Sequence, residues 1–484
     1  PAPPNNAGKF QLPMQVKSKK RSHIRLFYYF CAILNRYILN QMETENKGIY
    51  NARTLGKPKF IMLGIQHLFA MFGATILVPL ITGLDVSATL LFAGIGTLLF
   101  HVISKMKVPA FLGSSFAFLG GYASVKQLCV AQGLTDEMAL NYACLGVAAA
   151  SLLYFVMAFL LKMFGTDKVM RFFPPVVTGP MVIAIGLTLS GSAIHNCQQN
   201  WLLAITAIVI VIGASIWGRG IIKIVPILLG VLGSYILAAT MGEVDFTQLS
   251  EAAWIGLPIN MDRTAIVVMK DPNFDLIITS IIAIFPIAFA TIMEHIGDMC
   301  AIQSTVGKNF IKDPGLHRTL SGDGLATLLA SIFGAPANTT YGENTGVLNL
   351  TKVFDPAVIR MAACFAILLS FSPKFACLIG LMPAATIGGV SLILYGMISA
   401  VGVRNLVETS VDFSSSRNVF VAALIMVVSI GVQYGTDGGV KIGPVTFSGL
   451  ALAAIVGIVL NAILPDQLGM KVKSFNGKEK PNHR

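Results

Sequence analysis

PAFLGSSFAFLGG at residues 109–121 and PANTTYGENTG at residues 336–346 decide how this chain is read. Each lies between long apolar runs, yet each is short, opens on proline and is crowded with Gly, Ser, Thr or Asn. Exposed to lipid, such backbone would leave N–H and C=O groups unpaired, at several kcal/mol each. It is tolerated only where packed protein or a polar cavity covers it. Interrupted segments in corresponding positions of two halves are the best pointer to a transporter's binding site. Glycine-rich helix packing is the plainer alternative. Gly alone would suit it; Asn338, Thr339, Thr340, Glu343 and Asn344 together suit it poorly.

The surroundings read as membrane. Of 484 residues, 55% are hydrophobic and only 12% charged, with a mean hydropathy of +0.73. Soluble domains carry about twice that charged share. Apolar runs are spread evenly over 60–81, 86–104, 109–124, 140–161, 174–193, 201–217, 221–240, 274–293, 317–333, 336–351, 356–378, 382–402, 418–433 and 445–464. The formal charge of +12 includes seven Lys/Arg within residues 1–41, where there is no acid. The remainder fits basic loops on one membrane face and does not suggest nucleic acid. The seven cysteines form no CxxC and read as membrane-core residues.

Charge tests the count of spans. Lys57, Lys105, Lys107, Lys162, Arg219, Lys308, Lys312, Arg318, Lys352, Arg404 and Arg417 fall on one side only if there are fourteen crossings. The organisation expected is a leader at 1–41 outside the fold, a cytoplasmic segment at 42–59, and a first seven-span repeat at 60–240. An extracellular acidic loop at 241–273, a second repeat at 274–464 and a cytoplasmic tail at 465–484 follow. Seven is odd, so the halves are related by inversion, as in secondary transporters. Gln66-His67 in the first span answers Glu294-His295 in the eighth. Gln66 and Ser115 are 49 residues apart, as are Glu294 and Glu343. The fifth spans match as well: Pro175, Gly179 and Gly186 against Pro383, Gly388, Gly389 and Gly396.

Ionisable groups inside a membrane are functional by default. Glu294 and Asp298, at i and i+4, share one helix face. Glu343 sits in the second broken span. The plain reading puts Glu294 and Asp298 just past the end of their span, at the interface. A carboxyl in low dielectric holds its proton more readily, and it accepts hydrogen bonds from N–H groups. A planar ligand with alternating N–H and C=O groups suits such a site, with extended backbone donating to its carbonyls. Uracil has that edge pattern and xanthine shares part of it. Phe116, Phe118 and Tyr341 offer a flat aromatic wall. His67 is favoured for the site with Gln66, whereas His101 reads as packing or interfacial. No metal-ligand cluster, nucleophile elbow or phosphate loop suggests an enzyme. An anion carrier of similar architecture is disfavoured, because Glu294 and Glu343 would repel its cargo.

QHLFAMFGATILVPL (66–80), PAFLGSSFAF (109–118), MEHIGD (293–298), KDPGLHR (312–318) and NTTYGENTGVLNLTKV (338–353) resemble the nucleobase–ascorbate transporter family, also called nucleobase–cation symporter-2. Glu343-Asn344-Thr345-Gly346 with Thr351-Lys352 matches the family signature, in the form typical of its bacterial uracil carriers. The resemblance implies an all-α membrane protein of fourteen spans in two inverted repeats, divided into core and gate domains and often dimeric. It implies that Glu294 and Glu343 bind the base and that backbone N–H groups at Phe116 and Gly342 reach it. Tyr341 and His67 are implied in or beside the site, with Tyr395 nearby. One uracil carrier of the family has His where this chain has Asp298, which leaves the coupling residue open. The expectation is therefore a bacterial inner-membrane carrier of uracil, with both termini cytoplasmic, needing no cofactor and taking the proton as coupling ion. A xanthine or urate carrier on the same scaffold is the alternative.

Overall fold

The computed structural model describes residues 48–165, 174–219, 222, 225–436, 439–442, 445–447 and 449–465, and its compact unit begins at Ile49. The leader at 1–41 and nearly all of the tail lie outside the described residues.

The first half holds α1 (Lys57–Thr82), α2 (Val86–Ile103), β1 (Leu112–Ser114), α3 (Leu119–Ala131), α4 (Asp136–Phe164), α5 (Pro175–Cys197), α6 (Trp201–Trp217) and α7 (Pro226–Thr240). The second half holds α8 (Phe274–Val306), α9 (Leu316–Ile332), β2 (Asn338–Thr340), α10 (Gly342–Thr351), α11 (Pro356–Ser370), α12 (Pro373–Gly380) and α13 (Ala384–Glu408). It closes with α14 (Ser416–Gly435), the hairpin β3 (Val440–Ile442) and β4 (Val445–Phe447), and α15 (Gly449–Ile463). Among the described residues, seven helices are long and apolar enough to cross a membrane, or up to eight when a bent pair counts as one. The chain is a multi-pass, helical membrane protein, with four very short strands among the described residues.

Local chemistry sets the helix ends. Thr135 caps α4 by accepting from the Met138 amide at 3.3 Å. Asp136 and Glu137 occupy the first turn of α4 and Lys162 the last, each charge complementing the nearer end of the helix dipole. Asn273 caps α8 by accepting from the amides of Asp275 and Leu276. Nothing breaks α8 until Gly307 takes a left-handed φ of 73°. The eighth span therefore does not stop at residue 293, as the hydropathy suggested. Glu294 and Asp298 lie well inside a 33-residue helix, not beyond its end.

Two further expectations are corrected. The run 356–378 is not one straight span, because α11 and α12 meet at 87°. Pro373 opens α12, and Ser372 caps it by accepting from the Phe375 amide at 3.3 Å. The run 445–464 starts as strand, and its helix begins only at Gly449. Alternating β-branched and aromatic Val445-Thr446-Phe447 suits a strand better than a helix.

The helices pack in two groups. One comprises α1–α4 and α8–α11 with β1 and β2. The other comprises α5–α7 and α13–α15. In the second group α5 lies against α13 at backbone distance: a Cβ on Gly186 would stand 2.2 Å from the Tyr395 carbonyl oxygen, and one on Gly402 2.7 Å from that of Gly179. Small residues at such crossings let helices approach closely where burial from water supplies no drive.

Candidate functional site

The two broken segments meet each other. β1 and β2 pair antiparallel, with Leu112 opposite Thr340, Gly113 opposite Thr339 and Ser114 opposite Asn338. The ladder extends at both ends, through the Ser115 amide to the Ala337 carbonyl at 2.7 Å and the Tyr341 amide to the Phe111 carbonyl at 3.0 Å. Neighbouring helices satisfy the outer edges. Thr97 of α2 donates to the Leu112 carbonyl and accepts from its amide, at 3.2 and 2.9 Å. Thr327 of α9 donates to the Asn338 carbonyl at 2.8 Å. The Asn338 amide group donates to the Phe92 carbonyl at 2.9 Å. His101 holds the approach to β1 through the Ala110 carbonyl at 2.9 Å, so it is a packing residue. This is how extended backbone is accommodated within a helical membrane protein: protein covers every strand residue.

Each strand runs straight into a helix. α3 starts three residues after Phe116, and α10 starts at Gly342, directly after Tyr341. The first-turn N–H groups of a helix have no partner within it, so two sets of donors open beside the strand pair. The Phe116 amide makes no hydrogen bond to any other described residue. Facing them, α8 packs on β2 and α10. Thr340 donates to Asp298 Oδ2 at 2.8 Å, and a Cβ on Gly342 would lie 3.9 Å from Asp298 Oδ1. Glu294, one turn before Asp298, is likewise half-buried. Glu343 occupies the second position of α10; its side chain lies outside the description.

The remaining expected residues cluster around this point. Asn344 donates to the His67 carbonyl at 3.0 Å and lies 3.1 Å from His67 Nδ1, so α10 is tied to α1. Tyr341 is buried and its hydroxyl donates to the Ser114 carbonyl at 2.9 Å. Phe116 is half-buried and meets the Tyr395 ring edge-on at 6.5 Å, spanning the two packing groups. The Ser115 hydroxyl is buried without a partner among the described residues. Gln66 is half-buried beside His67. Phe118, like Tyr341, is buried within the apolar core.

A family model described as Permease family matches residues 58–438. The chain belongs to that family. As a permease it is a membrane transporter and not an enzyme. It is 39% identical to "Uracil permease" of Bacillus subtilis (strain 168), across 84% of this chain and 92% of that protein. It is 38% identical to "Uracil permease" of Escherichia coli (strain K12), across 83% and 90%. Among solved structures, the transmembrane domain of the cyanobacterium bicarbonate transporter BicA matches with a TM-score of 0.55 at 15% identity, over 86% of this chain and 98% of that one. That likeness is one of fold.

The permease also holds a buried polar cluster that reading the sequence missed. His295 Nδ1 lies 3.3 Å from Asp323 Oδ2 of α9, both side chains fully buried. The His295 ring stands edge-on to Phe100 at 6.2 Å. One turn earlier, the hydroxyls of Thr291 and Tyr154 are 2.5 Å apart. Thr291, Glu294, His295 and Asp298 recur at intervals of three and four residues and so share one face of α8. Thr291 and His295 meet Tyr154 of α4 and Asp323 of α9, while Asp298 meets Thr340 of β2. The rule that flagged Glu294 applies equally to Asp323, which lies inside the apolar run 317–333.

Proposed function

We propose that this permease carries uracil across the membrane together with protons, at the point where the strand pair faces α8. The observation that carries the reading is the juxtaposition of Glu294 and Asp298 with two helix starts and a stretch of extended backbone. Carboxylates accept the N–H groups of the base, and the amides at Phe116 and Gly342 donate to its carbonyls. Phe116 and Tyr341 flank its plane. Glu343, on the first turn of α10, is assigned the second carboxylate contact. Asp298 is assigned the coupled proton, since it lies one turn from Glu294 and its Thr340 hydroxyl partner can stay with it through a change of protonation. His67, held by Asn344, together with Gln66, Ser115 and Tyr395, supports the site.

The names of the related permeases from Bacillus subtilis and Escherichia coli support uracil as the cargo. With the bent pair α11–α12 taken as one, the described helical and strand–helix segments number fourteen, which is compatible with two inverted repeats of seven. The two packing groups fit a core that holds the base and a gate that moves against it, and pairing of two chains is compatible with the exposed apolar faces of α6 and α14. Related bacterial proteins support placement in a bacterial plasma membrane, with the basic helix ends and both termini cytoplasmic. No cofactor is required beyond the proton.

Uptake of labelled uracil into proteoliposomes tests the reading, with and without an inward proton gradient and with xanthine as competitor. Gradient-driven uptake indifferent to xanthine is the expected result. Vesicles that take up xanthine but not uracil would move the assignment to purines. Uptake unaffected by the gradient would remove proton coupling.

A further inference from the structure

The C-terminal end of α4 and the N-terminal end of α9 separate to leave a groove of about 310 Å³. Phe155, Phe159 and Lys162 line it from α4, and His317, Arg318 and Ser321 from α9. Deeper in, the helices close: a Cβ on Gly324 would stand 2.5 Å from the Cβ of Tyr154. The groove is therefore blind at its inner end and open toward the membrane edge and the basic end of the bundle.

Its chemistry changes along its length. Phe155, Phe159 and Lys162 follow a spacing of four and three residues, one face of a helix rising about 1.5 Å per residue. The cation thus sits roughly 10 Å above the deeper phenylalanine. Phe159 is 60% exposed, as are the neighbouring apolar Leu152 at 54% and Val156 at 52%, so this flank meets lipid tails. At the outer end Lys162, Arg318 and Lys105 all act electrostatically on His317. Among the described residues neither Lys162 nor Arg318 has a carboxylate within 4.0 Å. Asp313, the acid on the approach to α9, is engaged by Lys107 at 2.5 Å. A cationic mouth over an apolar slot, at the membrane surface, has the form of one phospholipid with an anionic head.

We propose that this groove binds an anionic phospholipid, its phosphate against Lys162, Arg318 and His317 and an acyl chain along Phe159 and Phe155. The head draws α4 and α9 together at the end where their side chains hold them apart. These two helices also carry Tyr154 and Asp323, which meet Thr291 and His295 on α8, so the lipid braces the helices on which α8 packs.

Native mass spectrometry of the full chain, with phosphatidylglycerol and phosphatidylcholine supplied equally, tests the proposal. Wild type is expected to retain phosphatidylglycerol preferentially. Lys162→Gln with Arg318→Gln is expected to reduce that preference roughly tenfold or more, at about fivefold per cation. Lys126→Gln with Lys270→Gln, matched in charge, is expected to leave it intact. Phe155→Ala with Phe159→Ala tests the slot separately and is expected to lower retention with every cation in place. Unchanged preference in the Lys162/Arg318 pair would overturn the site. Displacement of the lipid by millimolar glycerol 3-phosphate would also overturn it, because the groove would then be a site for a soluble phosphate.

Discussion

Thr340 shows how much a single side chain settles here. Its hydroxyl spans from the strand pair to Asp298, so the carboxylate is held by the same backbone that presents the donor amides. Charge removal at the carboxylates is the direct probe of the site. Glu294→Gln and Glu343→Gln are each expected to abolish or strongly impair uracil uptake while leaving the protein monodisperse; normal uptake by both would end the site assignment. The buried His295–Asp323 pair calls for a different readout. Removing one partner of a buried polar pair strands the other, at about 3–5 kcal/mol. Asp323→Leu is expected to lower the unfolding midpoint markedly. His295→Leu combined with it is expected to lose less than the sum of the two single changes, which a double-mutant cycle in detergent measures.

At the scale of elements, the crossing of α5 on α13 is the most sharply constrained. Gly186 faces the Tyr395 carbonyl and the Ser399 side chain so closely that no Cβ fits. Tyr395 in turn meets Phe116, so a shift of α13 reaches the proposed site. Gly186→Leu is expected to abolish uptake and to broaden or lower the melting transition. Gly396→Ala serves as the contrast, since a Cβ there meets nothing within 4 Å; Ala for Gly within a helix should be neutral or slightly stabilising, by up to about 1 kcal/mol. Much at this scale was legible beforehand. The matched glycines of the fifth spans lie on the two helices that cross, and the two Pro-opened polar segments read as broken spans hold the strands, although neither the crossing nor the pairing was itself read. The 87° break after Ser370 and the strand before α15 were not legible, because mean apolarity over a window carries no information on direction. The extent of α8 was underestimated for a related reason: a helix of 33 residues whose last turns are polar looks, in hydropathy, like a span followed by a loop.

For the molecule as a whole, the proposed carrier cycle puts its movement at the seam between the two packing groups. A Cβ on Gly73 of α1 would stand 2.6 Å from Ile227 Cγ2 of α7, so a larger residue there wedges the groups apart. Gly73→Leu is expected to slow uptake several-fold while equilibrium binding of uracil changes little, a split read by comparing transport with binding on the same preparation. Equal loss of both would assign Gly73 to stability and not to movement. Glu294, Asp298 and Glu343 were conspicuous in the sequence as charges and broken backbone within an apolar chain, whereas the Phe116 and Gly342 amides and Tyr395 entered through the resemblance. The Asp323 and Thr340 partnerships were not legible, because they depend on which elements become neighbours in the folded bundle, a matter that local composition does not carry.

The pairing of Leu112 with Thr340 joins positions 228 residues apart, and that separation is also an interval of time. A ribosome adding about 5–20 residues per second makes the second strand roughly ten to forty-five seconds after the first. Throughout that interval the nascent first half holds a strand with open backbone groups inside a membrane, where lipid offers no hydrogen bonds. The insertion machinery, or water held around the unfinished segment, must shelter that edge until its partner arrives. A chain truncated before residue 338 would never complete the pairing, and its natural fate is quality-control proteolysis.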